Sequence, residues 1–184
     1  MSLAKTTVML LVLMCVAQGA TASLVTNGGF ETGDLTGWTC TGADSCLADT
    51  GSLTPHSGSW YLEGFDNTGF ATLSQTITTV IGVDYELSFY SIVSIQDPAN
   101  ILNYAITGYA PTLVADTLSW LNTMRTFTAT STNTVISFMF ETDSGTGIWG
   151  IDDVSVTSAV PEPAILSLMG LGLLGMGWQR RKVG

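Results

Sequence analysis

Short runs in which apolar and polar residues alternate recur between residues 24 and 157, and each run ends at Gly, Asn, Asp or Pro. Alternation with a period of two is typical of half-buried β-strands. The predicted strands span 24–31, 37–40, 59–64, 70–79, 84–95, 102–109, 120–130, 133–141 and 148–157. Short strands at this spacing predict an all-β fold, an antiparallel β-sandwich or jelly roll, over residues 23–158.

An apolar run near the N-terminus departs from this alternation. Lys5 precedes the run, which extends over 8–17, and residues 20–22 provide the small side chains of a signal-peptidase site. This combination predicts a signal peptide over residues 1–22. The protein is therefore expected to be exported.

A second apolar run, 164–178, lies near the C-terminus. It contains no charged residue, and Arg180, Arg181 and Lys182 follow it. A run of this kind predicts a transmembrane helix, and a basic cluster at its end stays in the cytoplasm. The domain that precedes the helix would therefore face outward.

Pro161, Glu162 and Pro163 stand directly before this run. A Pro-Glu-Pro motif, a short apolar helix and a basic tail, in this order, resemble the PEP-CTERM sorting signal of Gram-negative bacteria. The resemblance covers residues 159–184 and implies processing by an exosortase, a membrane thiol peptidase, after transient anchoring in the inner membrane. It also implies transfer to the cell surface or extracellular matrix of a biofilm- or floc-forming cell. An ordinary C-terminal anchor would explain the helix and the charges but not the tripeptide.

The charge of the chain limits its partners. Fifteen acidic and five basic side chains give a formal net charge of −10, and Arg125 is the only basic residue between the two terminal segments. So acidic a surface repels nucleic acid and anionic membranes, which excludes nucleic acid as a partner. It also favours the binding of divalent cations.

Cys40 and Cys46 are the two cysteines that remain after removal of the signal peptide. In an exported protein this pair predicts a disulfide that closes a short loop and makes it locally rigid. A metal site is the weaker interpretation, because no further cysteine or suitable histidine lies nearby.

Two acidic motifs stand at opposite ends of the domain. Residues 27–31 read Asn-Gly-Gly-Phe-Glu, and residues 151–156 read Ile-Asp-Asp-Val-Ser-Val. Alternation predicts that Asp152 faces inward with Val154, and that Asp153 faces the other way. If the first and last strands are neighbours, Glu31 and Asp152 can bind one calcium ion, which prefers oxygen ligands. Alternatively, Asp152 caps the 27–29 turn by accepting backbone N–H groups, and both roles are compatible.

These motifs, together with the middle of the domain, resemble the jelly-roll carbohydrate-binding modules of glycoside hydrolases. The matching segments are His-Ser-Gly-Ser-Trp-Tyr-Leu at 56–62, Leu-Ser-Gln-Thr-Ile at 73–77 and Tyr-Glu-Leu-Ser-Phe at 85–89. The resemblance covers residues 24–157. It implies a jelly roll in which the opening and closing strands meet around a structural calcium ion.

Binding of a polysaccharide needs exposed aromatic rings for stacking and polar groups for the sugar hydroxyls. The parity of the predicted strands gives four aromatic candidates, Tyr90, Tyr104, Tyr109 and Trp120, and three polar candidates, Gln96, Asn103 and Arg125. Aromatic residues in such strands are more often part of the core.

The sequence favours a binding protein over an enzyme. His56 is the only histidine, and no nucleophile elbow, histidine cluster or phosphate-binding glycine loop is present. We therefore expect an exported domain that binds exopolysaccharide. The alternative is a structural matrix protein that has no defined sugar site.

Overall fold

The alternating pattern builds ten β-strands, which are numbered here in chain order. The computed structural model describes residues 22–42, 45–66, 69–142 and 147–159. Sheet A has the order β1 (Thr39–Thr41), β4 (Ala71–Thr78), β9 (Asn133–Glu141), β6 (Ile101–Ile106) and β7 (Thr112–Val114). Sheet B has the order β2 (Ser45–Asp49), β3 (Tyr61–Phe65), β10 (Trp149–Ser158), β5 (Asp84–Val93) and β8 (Leu121–Thr128).

The pairing confirms the predicted fold class. Every neighbouring pair of strands in the two sheets is antiparallel, and the described residues contain no helix. No helix in this part of the chain could therefore cross a membrane. Most of the predicted signal peptide and nearly all of the sorting segment lie outside the described residues.

The core lies between the inner faces of the two sheets. Phe89 of sheet B packs against Phe138 and Tyr104 of sheet A, with ring centroids 4.9 and 5.4 Å apart. Along β4 the burial alternates over the whole strand, so that Ala71, Leu73, Gln75 and Ile77 are buried and the residues between them are more exposed. Burial of each large apolar side chain contributes about 1.5–3 kcal/mol, which makes this layer the main source of stability.

The first predicted strand, 24–31, is a series of turns. Asn27 and Phe30 have φ angles of 52° and 57°, in the left-handed region, which is incompatible with a continuous strand. The segment nevertheless follows β10, because Leu24 N–H donates to the Val156 carbonyl and Val154 N–H donates to the Gly28 carbonyl. The expected proximity of the first and last segments is therefore present without a regular strand.

The predicted disulfide between Cys40 and Cys46 is confirmed, with Cα atoms 6.4 Å apart. Cys40 lies on β1, the edge strand of sheet A, and Cys46 lies on β2, the edge strand of sheet B. The bond therefore joins the two sheets along one edge of the sandwich. Sequence spacing predicted the closed loop but not this role between sheets.

Removal of the disulfide in the Cys40→Ser, Cys46→Ser double variant should lower the free energy of unfolding by about 2 kcal/mol, because the loop it closes is short. Urea unfolding of the oxidised parent and the variant measures the difference. Thr39→Ser, a change on the same strand, is the control and should unfold like the parent. Equal stability of the double variant and the parent would contradict a stabilising role.

Candidate functional site

A β-bulge in β10 determines where Asp152 points. The register with β5 pairs Asp152 with Tyr90 and resumes at Ser155 and Ser88, and Asp153 has a φ of 51°. Residues directly opposite in an antiparallel pair share a face, so Asp152 lies with Tyr90 on the outer face of sheet B. The prediction that Asp152 faces inward with Val154 is wrong, because the extra residue in the bulge reverses the alternation.

Asp152 is nevertheless completely buried, at 0% exposure, because the 53–60 loop covers it. Its Oδ2 accepts from the backbone N–H groups of His56 and Ser57 at 2.9 and 3.1 Å, and its Oδ1 accepts from Asp153 N–H at 2.7 Å. Asp152 therefore caps a turn, but the turn at 56–57 and not the predicted one at 27–29. Burial raises the pKa of Asp152 to about 6, and the three N–H groups partly oppose this effect.

Asp153 also contacts the 53–60 loop, so the expectation that it faces the opposite way is wrong. Its Oδ2 lies 2.7 Å from His56 Nδ1, and its Oδ1 accepts from the Ser57 hydroxyl at 2.7 Å. The side chains of His56 and Asp153 are 29% and 31% exposed. The two aspartates together therefore bind both the backbone and the side chains of residues 56 and 57.

Glu31 holds the next part of the same loop. Its carboxylate accepts from the backbone N–H groups of Ser59 and Trp60, in each case with a bond of 2.9 Å to Oε1. A Cβ atom at Gly58, which has a φ of 60°, would collide with this carboxylate. The two predicted calcium ligands therefore fix successive turns of one loop.

Carboxylate oxygens of Asp152 and Asp153 and the stem of Glu31 lie close to one point beside Gly29. A Cβ atom placed on Gly29 would lie 3.7 Å from Asp152 Oδ1, 3.5 Å from Asp153 Oδ1 and 3.7 Å from Glu31 Cγ. The three acidic side chains thus approach the same small space beside Gly29, and carboxylate oxygens are the ligands that calcium prefers. A second grouping is possible, because ligand atoms of His56, Asp152 and Asp153 all lie within 4.8 Å of one another.

Three rings form a cluster on the outer face of sheet B, called the ring cluster below: Tyr90, His56 and Trp120. The His56 ring stacks on Tyr90 with centroids 3.5 Å apart, and its centroid lies 5.9 Å from that of Trp120. Trp120 Nε1–H donates to the Thr54 carbonyl at 2.9 Å. The Trp120 ring lies over Gly150, where an added Cβ would be 3.0 Å from its Cη2 atom. The structure therefore brings together two of the predicted sugar-binding residues, and both are half-buried.

The sequence analysis assigned no sugar-binding role to His56, whose ring contacts both Tyr90 and Trp120. The signal that could have identified it is its place at the start of the 56–62 segment, in the turn that Asp152 caps. Only the three-dimensional pairing of β10 with β5 places the histidine over Tyr90.

Tyr104 and Tyr109 have structural roles. Tyr104 is 5% exposed and packs in the core, so its ring is not available to a ligand, and this corrects its assignment as a sugar-binding candidate. The Tyr109 hydroxyl donates to the Thr128 carbonyl at 3.1 Å and accepts from Thr128 N–H at 3.0 Å. It thereby satisfies the backbone at the edge of β8, which protects an edge strand from pairing with another chain.

The polar candidates are dispersed. Asn103 lies on the outer face of sheet A, opposite Leu113, and Arg125 lies on the edge strand β8, opposite Leu87. Gln96 Nε2 donates to the Asp116 carbonyl at 2.8 Å. None of the three joins the ring cluster. The outward-facing positions of the sheet A strands, such as Thr72, Ser74 and Ser137, hold no aromatic residue.

Comparison with known proteins identifies the C-terminal segment. Residues 159–182 match the PEP-CTERM protein-sorting motif, so the chain contains the sorting signal that its sequence resembles. This motif indicates an exported protein with a C-terminal, membrane-anchored sorting signal. No curated protein sequence matches the chain significantly.

The described domain is similar in structure to carbohydrate-binding modules. TmCBM61, solved in complex with beta-1,4-galactotriose, has a TM-score of 0.62 and 22% identity, over 75% of this chain and 99% of that one. The CBM22-1 xylan-binding domain from Paenibacillus barcinonensis Xyn10C has a TM-score of 0.57 and 14% identity, over 78% and 99%. The N-terminal cellulose-binding domain of β-1,4-glucanase C from Cellulomonas fimi has a TM-score of 0.51 and 19% identity, over 77% and 100%. These likenesses confirm the jelly-roll fold.

The raised pKa of Asp152 predicts a specific dependence of stability on pH. Its ordinary value is 3.8, so the folded protein binds this proton more tightly than the unfolded chain does. The proton stabilises the fold below about pH 4, and this contribution, up to roughly 3 kcal/mol, is lost as the pH rises through about 6.

Urea unfolding across this pH range, in the presence of chelator, tests the prediction. Asp152→Asn should remove that loss of stability, whereas Asp116→Asn, in a distant loop, should retain it. Identical pH profiles for the parent and Asp152→Asn would contradict the assignment.

Proposed function

We propose that this protein is exported, held briefly in the inner membrane and cut by an exosortase, and that its jelly-roll domain then binds exopolysaccharide. The site of action would be the cell surface or the extracellular matrix of a biofilm or floc. The sorting motif at 159–182 supports the first part of the proposal. The ring cluster on the outer face of sheet B is the observation that supports the second.

The ring cluster has the features that a sugar site needs. Trp120, His56 and Tyr90 are half-buried, so each ring is fixed by its neighbours and still has a part that faces solvent. Asn122 lies opposite Tyr90 on β8 and is exposed, which places an amide beside the rings for the sugar hydroxyls. Apolar sugar faces stack on aromatic rings, while a few polar groups fix the orientation.

The 53–60 loop gives this site its rigidity. Thr54 binds the Trp120 indole, Asp152 binds the backbone at His56, and Glu31 binds the backbone at Ser59. A site that is ordered before the ligand arrives loses less conformational entropy on binding. The acidic residues therefore serve the ring cluster indirectly, by holding the loop that completes it.

We propose binding without catalysis at this site. Glycoside hydrolysis needs two carboxyl groups that exchange protons with, or attack, the substrate. The carboxylates nearest the ring cluster are those of Asp152 and Asp153, and each accepts hydrogen bonds from the 53–60 loop. They are therefore engaged in structure. Asp49 and Glu63 form a second pair near Trp120, and both accept from the hydroxyl of Tyr61, whose ring centroid lies 6.2 Å from that of Trp120.

We also propose a structural calcium ion that is held by Glu31 and Asp152. When bound, the ion would supply positive charge that offsets the repulsion among the acidic side chains around Gly29. Within the described part of the chain, the one histidine, lysine or arginine side chain that contacts a carboxylate at this site is His56, whose Nδ1 lies 2.7 Å from Asp153 Oδ2. The expected role of the ion is to lock the first segment of the domain and β10 against the 53–60 loop.

A structural matrix protein without a sugar site is the second candidate function. The observation that favours it is the dispersion of the other predicted sugar-binding residues, since Tyr104 is buried and Asn103, Tyr109 and Arg125 lie on separate surfaces. Under this alternative the ring cluster would only fix the 53–60 loop.

Removal of calcium should lower the melting temperature of the protein by several degrees, because a ligand that binds only the folded state stabilises it. Differential scanning calorimetry with and without chelator, together with mass spectrometry of bound metal, measures the effect. Glu31→Gln and Asp152→Asn should each weaken the response to calcium, and Asp153→Asn should change it less. Loss of the response in Asp153→Asn with retention in Glu31→Gln would place the ion between His56, Asp152 and Asp153 instead.

Carbohydrate binding should depend on Trp120. In a glycan array and subsequent titration calorimetry, Trp120→Ala should weaken binding of the best glycan about tenfold or more, as expected for a central aromatic contact. Asn103→Ala, on the outer face of sheet A, is the matched control and should bind like the parent. Loss of binding in Asn103→Ala alone would move the site to sheet A, and no binding by the parent would favour the matrix protein.

A further inference from the structure

We propose that one end of the domain contacts the lipid surface of the membrane while the precursor is anchored, with Val80 and Ile81 as the side chains that enter the interface. This end, called the exit end below, is the one at which β10 ends and the chain continues into the sorting motif. The proposal concerns the precursor before cleavage and is independent of carbohydrate binding. It rests on the position of the chain exit, two exposed side chains and the distribution of charge.

The exit of the chain lies beside the start of β5. Ser158, the last residue of β10, pairs with Tyr85, and Ala159 N–H donates to the Asp84 carbonyl at 2.9 Å. The 79–83 loop joins β4 to β5 and therefore lies at the same end. The sorting motif thus begins next to the loop that contains Val80 and Ile81.

Val80 and Ile81 are 61% and 62% exposed, although both are aliphatic. The loop that bears them is held firmly, since Val80 N–H donates to the Tyr85 hydroxyl at 3.0 Å and Gly82 N–H donates to the Ala129 carbonyl at 2.8 Å. Two aliphatic side chains on a fixed turn cannot fold back onto the core. Such a pair is suited to the boundary between lipid headgroups and acyl chains.

Acidic side chains are sparse at the exit end, where Asp84 begins β5 and accepts from the Thr128 hydroxyl at 2.6 Å. The loops at the exit end, 79–83, 107–111 and 129–132, contain no charged residue. The opposite end includes the 94–100 and 115–120 loops, which contain Asp97 and Asp116. Acidic groups are repelled by anionic lipids and are costly to dehydrate. In a chain with fifteen acidic side chains, the end with few of them is therefore the end that can approach lipid.

The segment that joins the domain to the apolar run is short and keeps the exit end close to the membrane. Four residues, 160–163, separate Ala159 from the apolar run at 164–178. A fully extended chain of that length spans at most roughly 18 Å from Ala159 to the first residue of the run. The exit end is therefore confined near the bilayer surface, which raises the effective concentration of Val80 and Ile81 there.

A lipid surface fits this end better than a protein partner does. Specific protein interfaces usually bury about 800 Å² on each partner, whereas two adjacent side chains offer only a small apolar area. Interfaces are rich in aromatic side chains, whereas the loops of the exit end contain one, Tyr109, whose hydroxyl is already bonded to the backbone of Thr128. We therefore assign lipid as the partner, and contact with the processing peptidase becomes an outcome of the test.

Depth measurement by electron paramagnetic resonance tests the proposal on the mature full chain, residues 23–184, in phosphatidylcholine vesicles. A spin label is attached through Ile81→Cys, with the Cys40–Cys46 disulfide intact. The control is Leu118→Cys, because Leu118 is 57% exposed and lies at the opposite end. The label at 81 should lose access to an aqueous nickel chelate and gain access to oxygen, whereas the label at 118 should stay aqueous.

Equal aqueous access at positions 81 and 118 would overturn the proposal. The remaining explanation is that the exit end contacts the processing peptidase. A comparison of Ile81→Asp with Leu118→Asp for processing in the native host tests it. Blocked processing in Ile81→Asp alone, combined with an aqueous label at 81, would assign the exit end to the peptidase. Lipid contact at 81 supports the proposal whatever the outcome of the glycan array.

Discussion

The buried carboxylate of Asp152 is the interaction on which the outer face of sheet B depends. Its three hydrogen bonds, two of them to the 53–60 loop, join β10 to a loop that is almost a hundred residues earlier in the chain. Together with the contacts of Asp153, these bonds hold His56 over Tyr90 in the loop that also places Thr54 for the Trp120 indole. A polar group in an otherwise covered position is stable only when it is paired, so the loop and the aspartate require each other.

The sequence predicted the sandwich well because alternation records burial directly. The runs at 70–79, 84–95 and 133–141 contain β4, β5 and β9, where apolar residues face the core at every second position. The prediction of a strand over 24–31 is wrong, because the hydrophobic pattern does not reveal the positive φ angles at Asn27 and Phe30. Short edge strands such as β2 and β7 have too few residues to show a period.

The candidate site was less predictable, for two physical reasons. A single extra residue in the β10 bulge reversed the face of Asp152, and counting by twos cannot detect such an insertion. The partners of the aspartates are backbone N–H groups at His56 and Ser57, which every residue except proline has. Sequence could therefore name Glu31 and Asp152 as acidic residues in need of partners, but it could not identify the loop that satisfies them.

The position of β10 in sheet B has a consequence for the order of biogenesis. β10 pairs with both β3 and β5, so it is an interior strand, yet it is the last of the described strands along the chain. The domain cannot complete its fold until this strand has been secreted, and the sorting motif follows directly behind it. Any chain that presents its motif to the membrane has therefore already delivered the strand that closes the sheet. A prematurely terminated chain lacks both the closing strand and the sorting motif. Chains with an incomplete domain are therefore not sorted.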